Sequence, residues 1–238
     1  MKGFALVTGA ARRIGRAIAL QLAADGFDII VHYNRSAHEA ASLADEIIAL
    51  GRKAVLAEID LAKSDHVVRL IPSLTAELGP LVALVNNASL FELDKTDPDG
   101  RLHWAVNFEA PRLLSETFYA QIAEGRTGAI ANILDSVPPE ENLTSYNKSK
   151  QELRAQTIAL AKQFAPRVRV NGVAPGPILP NARQSTQHFQ KQIDATLLQI
   201  QIMPEDIARA VAFLLASSAI TGQILAVDGG FHLGKTSD

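Results

Sequence analysis

Apolar positions along the chain fall into two alternating rhythms. Short, nearly unbroken apolar runs occupy Phe4–Thr8, Asp28–Tyr33, Ala54–Ile59, Leu81–Asn86, Ala129–Leu134, Arg169–Val173 and Ile224–Val227. Runs of this length without strict alternation are expected of strands covered on both faces of a parallel sheet. Between them lie longer segments with helical spacing. "SAHEAASLADEIIALG" offers Ser36 as an N-cap and Gly51 as a stop. "PEDIARAVAFLLASS" opens on Pro204 with acids in its first turn, which suits the helix dipole. Pro72 and Pro111 fall inside helical patterns and are expected to mark breaks or kinks.

Strands alternating with helices predict an α/β protein: a single-domain, Rossmann-type, doubly wound parallel sheet of about seven strands with helices on both faces. No linker, tandem repeat or low-complexity run divides residues 1–238, so one domain is expected. The proline-bearing stretch around 175–201 reads as a partly irregular excursion and a candidate lid. Hydrophobic residues make up 47% of the chain and charged residues 20%, enough for a large core. A net charge of −2 gives no global pull toward nucleic acid or an anionic membrane. The absence of cysteine excludes disulfides, thiol catalysis and cysteine-ligated metals. The opening "MKGFALVTGA" lacks a signal-peptide layout, so a cytoplasmic protein is expected.

Candidate chemistry begins at "TGAARRIG", where Gly9 and Gly15 bracket a tight turn after the first strand. A helix N-terminus there can direct N–H groups at a pyrophosphate. Arg13 stands where a middle glycine is expected. At the end of strand two an NAD site wants a carboxylate for the ribose 2′-hydroxyl. The chain offers "HYNRS" instead, without an acid. Arg35 and Ser36, aided by Arg12, can hold a 2′-phosphate through charge-assisted bonds, which points to NADPH. The alternative is a solvated basic turn. Asp60 can accept from an adenine amine, and "NNAS" (Asn86 to Ser89) can bond a ribose or a neighbouring backbone. Both also suit plain turn chemistry.

"SYNKSK" places Tyr146 and Lys150 four apart at a helix start, on one face. A nearby ammonium is expected to favour the phenolate and lower the tyrosine pKa from about 10. With the glycine loop, "NNAS", Asn107 in mid-helix and the closing "VDGGFHL", the whole chain resembles the short-chain dehydrogenase/reductase family. The resemblance implies that Tyr146 is the acid, that Lys150 also holds the nicotinamide ribose, and that Asn107 supports a proton-relay water. It also implies a coenzyme wall of Gly9, Arg12, Arg13, Ile14, Gly15, His32, Tyr33, Asn34, Arg35, Ser36, Asp60, Leu61, Asn87, Ala88, Ser89, Tyr146, Lys150, Pro175 and Gly176.

One position departs from the family: "NILDS" puts Asp135 where a catalytic serine is expected, eleven residues before the tyrosine. Strand alternation sends the adjacent Ser136 to the opposite face. An ionised aspartate only accepts hydrogen bonds, so it suits a substrate rich in N–H donors or a ring nitrogen that must be protonated. The alternative is a cap or loop carboxylate. Together "TGAARRIG", "HYNRS", "NNASLF" and "NILD" resemble the pteridine reductase branch of the family. This implies a substrate site of Arg13, Ser89, Phe91, Asp135 and Tyr146, with Phe91 stacking on the pterin; an ordinary core aromatic is the alternative for Phe91. The reading is an NADPH-dependent reductase of C=N bonds in pteridines such as a dihydropterin or dihydrofolate. Its rivals are a carbonyl or 3-oxoacyl thioester reductase and an NADP(H)-sensing binding protein without turnover. Family analogy implies a homotetramer packed through the helices carrying Asn107 and Tyr146. His103, His188 and His232 lack ligand spacing, so no metal is assigned.

Overall fold

The computed structural model describes residues 2–91, 97, 99–136, 144–178 and 185–234. Seven parallel strands form one sheet in the order β3-β2-β1-β4-β5-β6-β7. They are β1 (Phe4–Val7), β2 (Asp28–Tyr33), β3 (Ala54–Glu58), β4 (Leu81–Asn86), β5 (Gly128–Ile133), β6 (Val168–Pro175) and β7 (Ile224–Val227). The apolar runs thus name every strand, with ends shifted by a residue or two. Connections step outward from β1 in one direction and from β4 in the other. The order reverses between these two strands, and a crevice opens there at their carboxyl ends.

The helices are α1 (Arg13–Ala24), α2 (Ala37–Ala49), α3 (Ser64–Leu78), α4 (Arg101–Trp104), α5 (Ala110–Gln121), α6 (Ser145–Phe164), α7 (Thr186–Asp194) and α8 (Pro204–Ala216). Side chains of β1 alternate between faces: Ala5 and Val7 join a core with α1, α2 and α8, including Ile18, Leu43 and Val211. Leu6 joins the opposite core with α3, α5 and α6, including Ile71, Phe118 and Phe164. Each face therefore buries its own apolar stripe, which is why the strands read as continuous apolar runs.

Three local expectations change. The helix α3 continues through Pro72 instead of breaking there. Pro72 and Val68 both lie on the exposed side, so the carbonyl that loses its N–H partner faces solvent. Pro111 does not end a helix either; it lies near the start of α5, just after a π-helical segment, Ala105–Glu109, whose wider turns continue α4 into α5. Ser36 sits at the N-cap of α2 but its side chain makes no capping bond. Side-chain caps occur instead at Thr144, which accepts from the Asn147 N–H, and at Ser185, which accepts from His188. The excursion around 175–201 contains α7, and its residues 179–184 lie outside the described residues, as does the loop 137–143 before Tyr146.

Candidate active site

The crevice is built around the turn from β1 into α1. Gly9 takes φ +61° and Arg13 φ +55°, so a residue with a side chain occupies the left-handed conformation that favours glycine. The turn is tightly closed: a Cβ on Gly15 would lie 2.2 Å from the Gly9 carbonyl oxygen. Arg12, the N-cap of α1, makes no side-chain cap, and the first turn carries no acid. The free N–H groups and the helix dipole therefore favour an anion at this point.

Asn87 braces the turn from the end of β4, its Nδ2 donating to the carbonyls of Thr8 (2.8 Å) and Gly9 (3.1 Å). Thr8 Oγ1 in turn accepts the N–H groups of Asn87 and Ala88 at 2.9 and 3.0 Å. Asn86 points away into a buried network, donating to Asn132 at 2.8 Å. Within "NNAS" it is thus Asn87 whose side chain serves the neighbouring backbone.

A cleft of about 700 Å³ opens over this turn. Its wall includes every coenzyme candidate from Gly9 through Ser89: Arg12, Arg13, Ile14 and Gly15 from the turn, His32 to Ser36 from β2, Asp60 and Leu61 after β3, and Asn87 and Ala88 after β4. At its basic end Arg35 and Ser36 lie together, with Arg12 Nη1 3.4 Å from Glu39. That exposed pair is worth at most about 1 kcal/mol and leaves Arg12 available to another anion. Asp60 uses one carboxylate oxygen on the Ala62 N–H at 3.0 Å, an ordinary turn bond. Pro175 and Gly176 are not in this wall; Pro175 ends β6 and Gly176 follows it, where a Cβ would lie 2.7 Å from Asp228 Cα. Leu102 and Val106 line the cleft without having been singled out, although their spacing of four on a helical stretch marks one face.

Beyond the cleft, Tyr146 Oη donates to Asp135 Oδ2 at 3.0 Å. Asp135 lies two residues beyond the end of β5 and faces the Tyr146 hydroxyl. Ser136 turns the other way, as alternation requires, and donates to the buried Asp228. Asp228 also accepts from the N–H groups of Gly230 and His232, both at 2.9 Å, so the C-terminal turn is fastened to the end of β5. This hub escaped the sequence reading because Ser136 and Asp228 are 92 residues apart.

The Tyr146 phenol is pushed well above its ordinary value, contrary to expectation. Burial is the main cause, and the adjacent Asp135 charge adds to it. Lys150 donates to the Ile133 carbonyl at 3.0 Å, and burial lowers its pKa to about 8 against the opposing pull of Asp135. Burial also raises Asp135, while the Lys150 charge and the Tyr146 hydroxyl act in the other direction. The three groups form a site that can hold a proton on a neutral phenol beside a carboxyl.

Asn107 lies in the π segment with its side chain fully engaged: Oδ1 accepts the Leu90 N–H at 2.8 Å, and Nδ2 donates to the Leu90 carbonyl at 2.9 Å and Ser149 Oγ at 3.2 Å. Pro111, four residues on, has no N–H to give the Asn107 carbonyl. Ser89 joins this set, its hydroxyl 3.3 Å from Asn107 Oδ1. Phe91 is 49% exposed, so it is not a core aromatic; its ring meets Tyr146 edge-on with centroids 5.0 Å apart. On the far side of Tyr146, the buried His103 ring lies 6.0 Å away and shares Nδ1 with Ser145 Oγ at 2.7 Å. In the same helical stretch Trp104 packs on Phe108 at 4.7 Å.

Comparison with known proteins places this arrangement. A family model described as enoyl-(acyl carrier protein) reductase matches residues 9–232. A 3-oxoacyl-(acyl-carrier-protein) reductase FabG of Staphylococcus epidermidis is 32% identical over 246 aligned residues, covering 98% of this chain and all of that one. The crystal structure of FolM alternative dihydrofolate reductase 1 from Brucella canis, complexed with NADP, superposes with a TM-score of 0.90 at 37% identity, covering 98% of this chain and 95% of that one. A blue fluorescent protein from a metagenomic library, in complex with NADPH, superposes at 0.88 with 33% identity over 96% of this chain and 97% of that one. Fold, strand order and whole-length similarity coincide, and the chain belongs to the short-chain dehydrogenase/reductase family of oxidoreductases.

Proposed function

We propose that the protein is an NADPH-dependent pteridine reductase acting on a C=N bond of a dihydropterin or dihydrofolate. The observation that carries this reading is the 3.0 Å bond from Tyr146 to Asp135, a carboxylate at the position of a catalytic serine. The cleft fits the coenzyme: its turn is closed too tightly for a side chain at Gly15, its helix end attracts anions, and Arg35 and Ser36 supply donors for a 2′-phosphate. The likeness to FolM and to the NADPH-bound fluorescent protein supports the same choice.

NADPH, when bound, supplies the hydride. Arg13 contacts its phosphates and reaches toward the pterin, where a guanidinium favours the polarised form of the ring. Phe91 presents an exposed face on which a flat bicycle stacks. Asp135 and Tyr146 hold the proton and pass it to the ring nitrogen, the phenol remaining neutral until then. Lys150 supports the nicotinamide ribose and, as an ammonium, is the source from which the Asp135–Tyr146 pair regains the proton it gives up. Asn107, through Leu90, Ser89 and Ser149, fixes the loop bearing Phe91 against the helix bearing Tyr146 and supports the relay water. Residues around 175–201 serve as the lid, and four copies pack through the helices carrying Asn107 and Tyr146.

A second reading, reduction of 3-oxoacyl thioesters, is favoured by the Staphylococcus relative. NADPH oxidation with dihydrobiopterin, dihydrofolate and acetoacetyl thioester, run side by side, separates the two. Turnover of the pterins, lost by about a hundredfold in Asp135→Ser, is expected, in line with removal of a general acid. Turnover of the thioester alone, maintained or raised in Asp135→Ser, would sink the pteridine assignment.

A further inference from the structure

We propose that His32 is a positioning residue that, together with Asn87, holds the Gly9 peptide and thereby allows an arginine to stand in the left-handed position of the coenzyme loop. The inference rests on the coenzyme reading of the cleft.

The geometry is a two-sided clamp. The Gly9 N–H donates to His32 Nδ1 at 3.0 Å, and the Gly9 carbonyl accepts from Asn87 Nδ2 at 3.1 Å. One side chain comes from β2 and the other from the end of β4, so the strands on either side of β1 grip one residue by the two peptide groups that flank it. The His32 carbonyl also accepts the Ala10 N–H at 2.9 Å, which adds a main-chain tie.

The imidazole has no freedom of role. Nδ1 must be unprotonated to accept from Gly9, so Nε2 carries the hydrogen and donates to the Ile59 carbonyl at 3.2 Å. Burial lowers this imidazole to about 4, so the accepting form persists at neutral pH. A ring that is only 2% exposed and has both nitrogens engaged is an internal brace, although it also borders the cleft.

Arg13 gives this brace its purpose. A left-handed conformation at a residue with a side chain carries a local cost that only the surroundings can hold in place. Gly9 precedes Arg13 in the same turn, and its carbonyl lies against Gly15, so a shift of the Gly9 peptide would move both ends of the loop. The glycine-to-arginine exchange thus has a structural counterpart in His32 as well as a chemical one in the ligand.

Asn and Gln separate the two bonds, because the Asn amide occupies the place of Nδ1 and the Gln amide that of Nε2. The test measures NADPH dissociation constants and steady-state kinetics for His32→Asn and His32→Gln, each in the wild-type and Arg13→Gly backgrounds. His32→Gln, with the Gly9 N–H unpaired, should weaken NADPH about tenfold more than His32→Asn does. The loss in His32→Gln should fall more on the NADPH dissociation constant than on kcat, and it should shrink at least about threefold in the Arg13→Gly background. Equal affinity of the two variants, or a penalty identical in both backgrounds, would overturn the brace. A wild-type protein that does not bind NADPH would overturn the coenzyme reading and the role of His32 with it.

Discussion

Tyr146 and Lys150 share a helix face, yet their surroundings drive them in opposite directions: burial raises the phenol and lowers the ammonium. Spacing alone suggests an ammonium poised to lower the phenol. What spacing omits is that Lys150 Nζ is directed at the Ile133 carbonyl, while a carboxylate lies 3.0 Å from the phenol oxygen. The resulting pH dependence has a definite sign. Lys150 acts as a cation only while protonated, and with its pKa lowered to about 8 it loses that charge as pH rises through this value. A pH profile of kcat/KM should therefore fall on its alkaline side near pH 8. Lys150→Arg, whose guanidinium stays charged, should move any residual activity's alkaline limb upward; an unmoved limb would assign it to another group.

Elements were legible wherever the same physics acts on every residue of a run. Both faces of the sheet are covered, so each strand announces itself as a block of apolar residues, and the seven blocks match the seven strands. Proline was less legible because its effect depends on which way the helix faces; at Pro72 the unpaired carbonyl meets solvent, and nothing local records that. Helix ends held by distant side chains were also hidden. The end of α8 depends on Arg169 of β6, whose Nη1 donates to the Leu214 carbonyl at 2.8 Å and Nη2 to that of Leu215 at 2.7 Å. These charge-assisted bonds satisfy carbonyls that have no partner within the helix. Arg169→Ala should lower unfolding free energy by about 3 kcal/mol in urea titrations, with Arg169→Lys recovering less than half. A loss below about 0.5 kcal/mol would mean that water replaces the cap at no cost.

At the scale of the whole molecule, the cleft collects the carboxyl ends of β1, β2, β3 and β4, so one ligand would tie together half of the sheet. NADPH at a hundredfold excess over its Kd should stabilise the fold by about 2.7 kcal/mol, which raises the melting temperature by about 5–10 °C for a chain of this size. NADH at the same concentration should give a smaller rise, because it leaves Arg35 and Ser36 without a phosphate; an equal rise would remove the case for NADPH preference. The topology and the glycine turn that floors the cleft could be read from the chain because they recur as local patterns at strand ends. The fastening of Ser136 to Asp228 could not, since it joins residues that only the folded sheet brings together.

The tilted pair of Trp104 and Phe108 has a spectroscopic consequence. Trp104 is the only tryptophan in the chain, and it is 43% exposed. It stands midway between Leu102 and Val106, which border the cleft, and three residues before Asn107, which grips the loop of Phe91. Every photon of indole emission therefore originates from one point on the helical stretch that borders the cleft, on the side turned away from Leu102 and Val106. The native polypeptide carries its own fluorophore on a helical stretch that borders the cleft, with no label to add and no second indole to subtract.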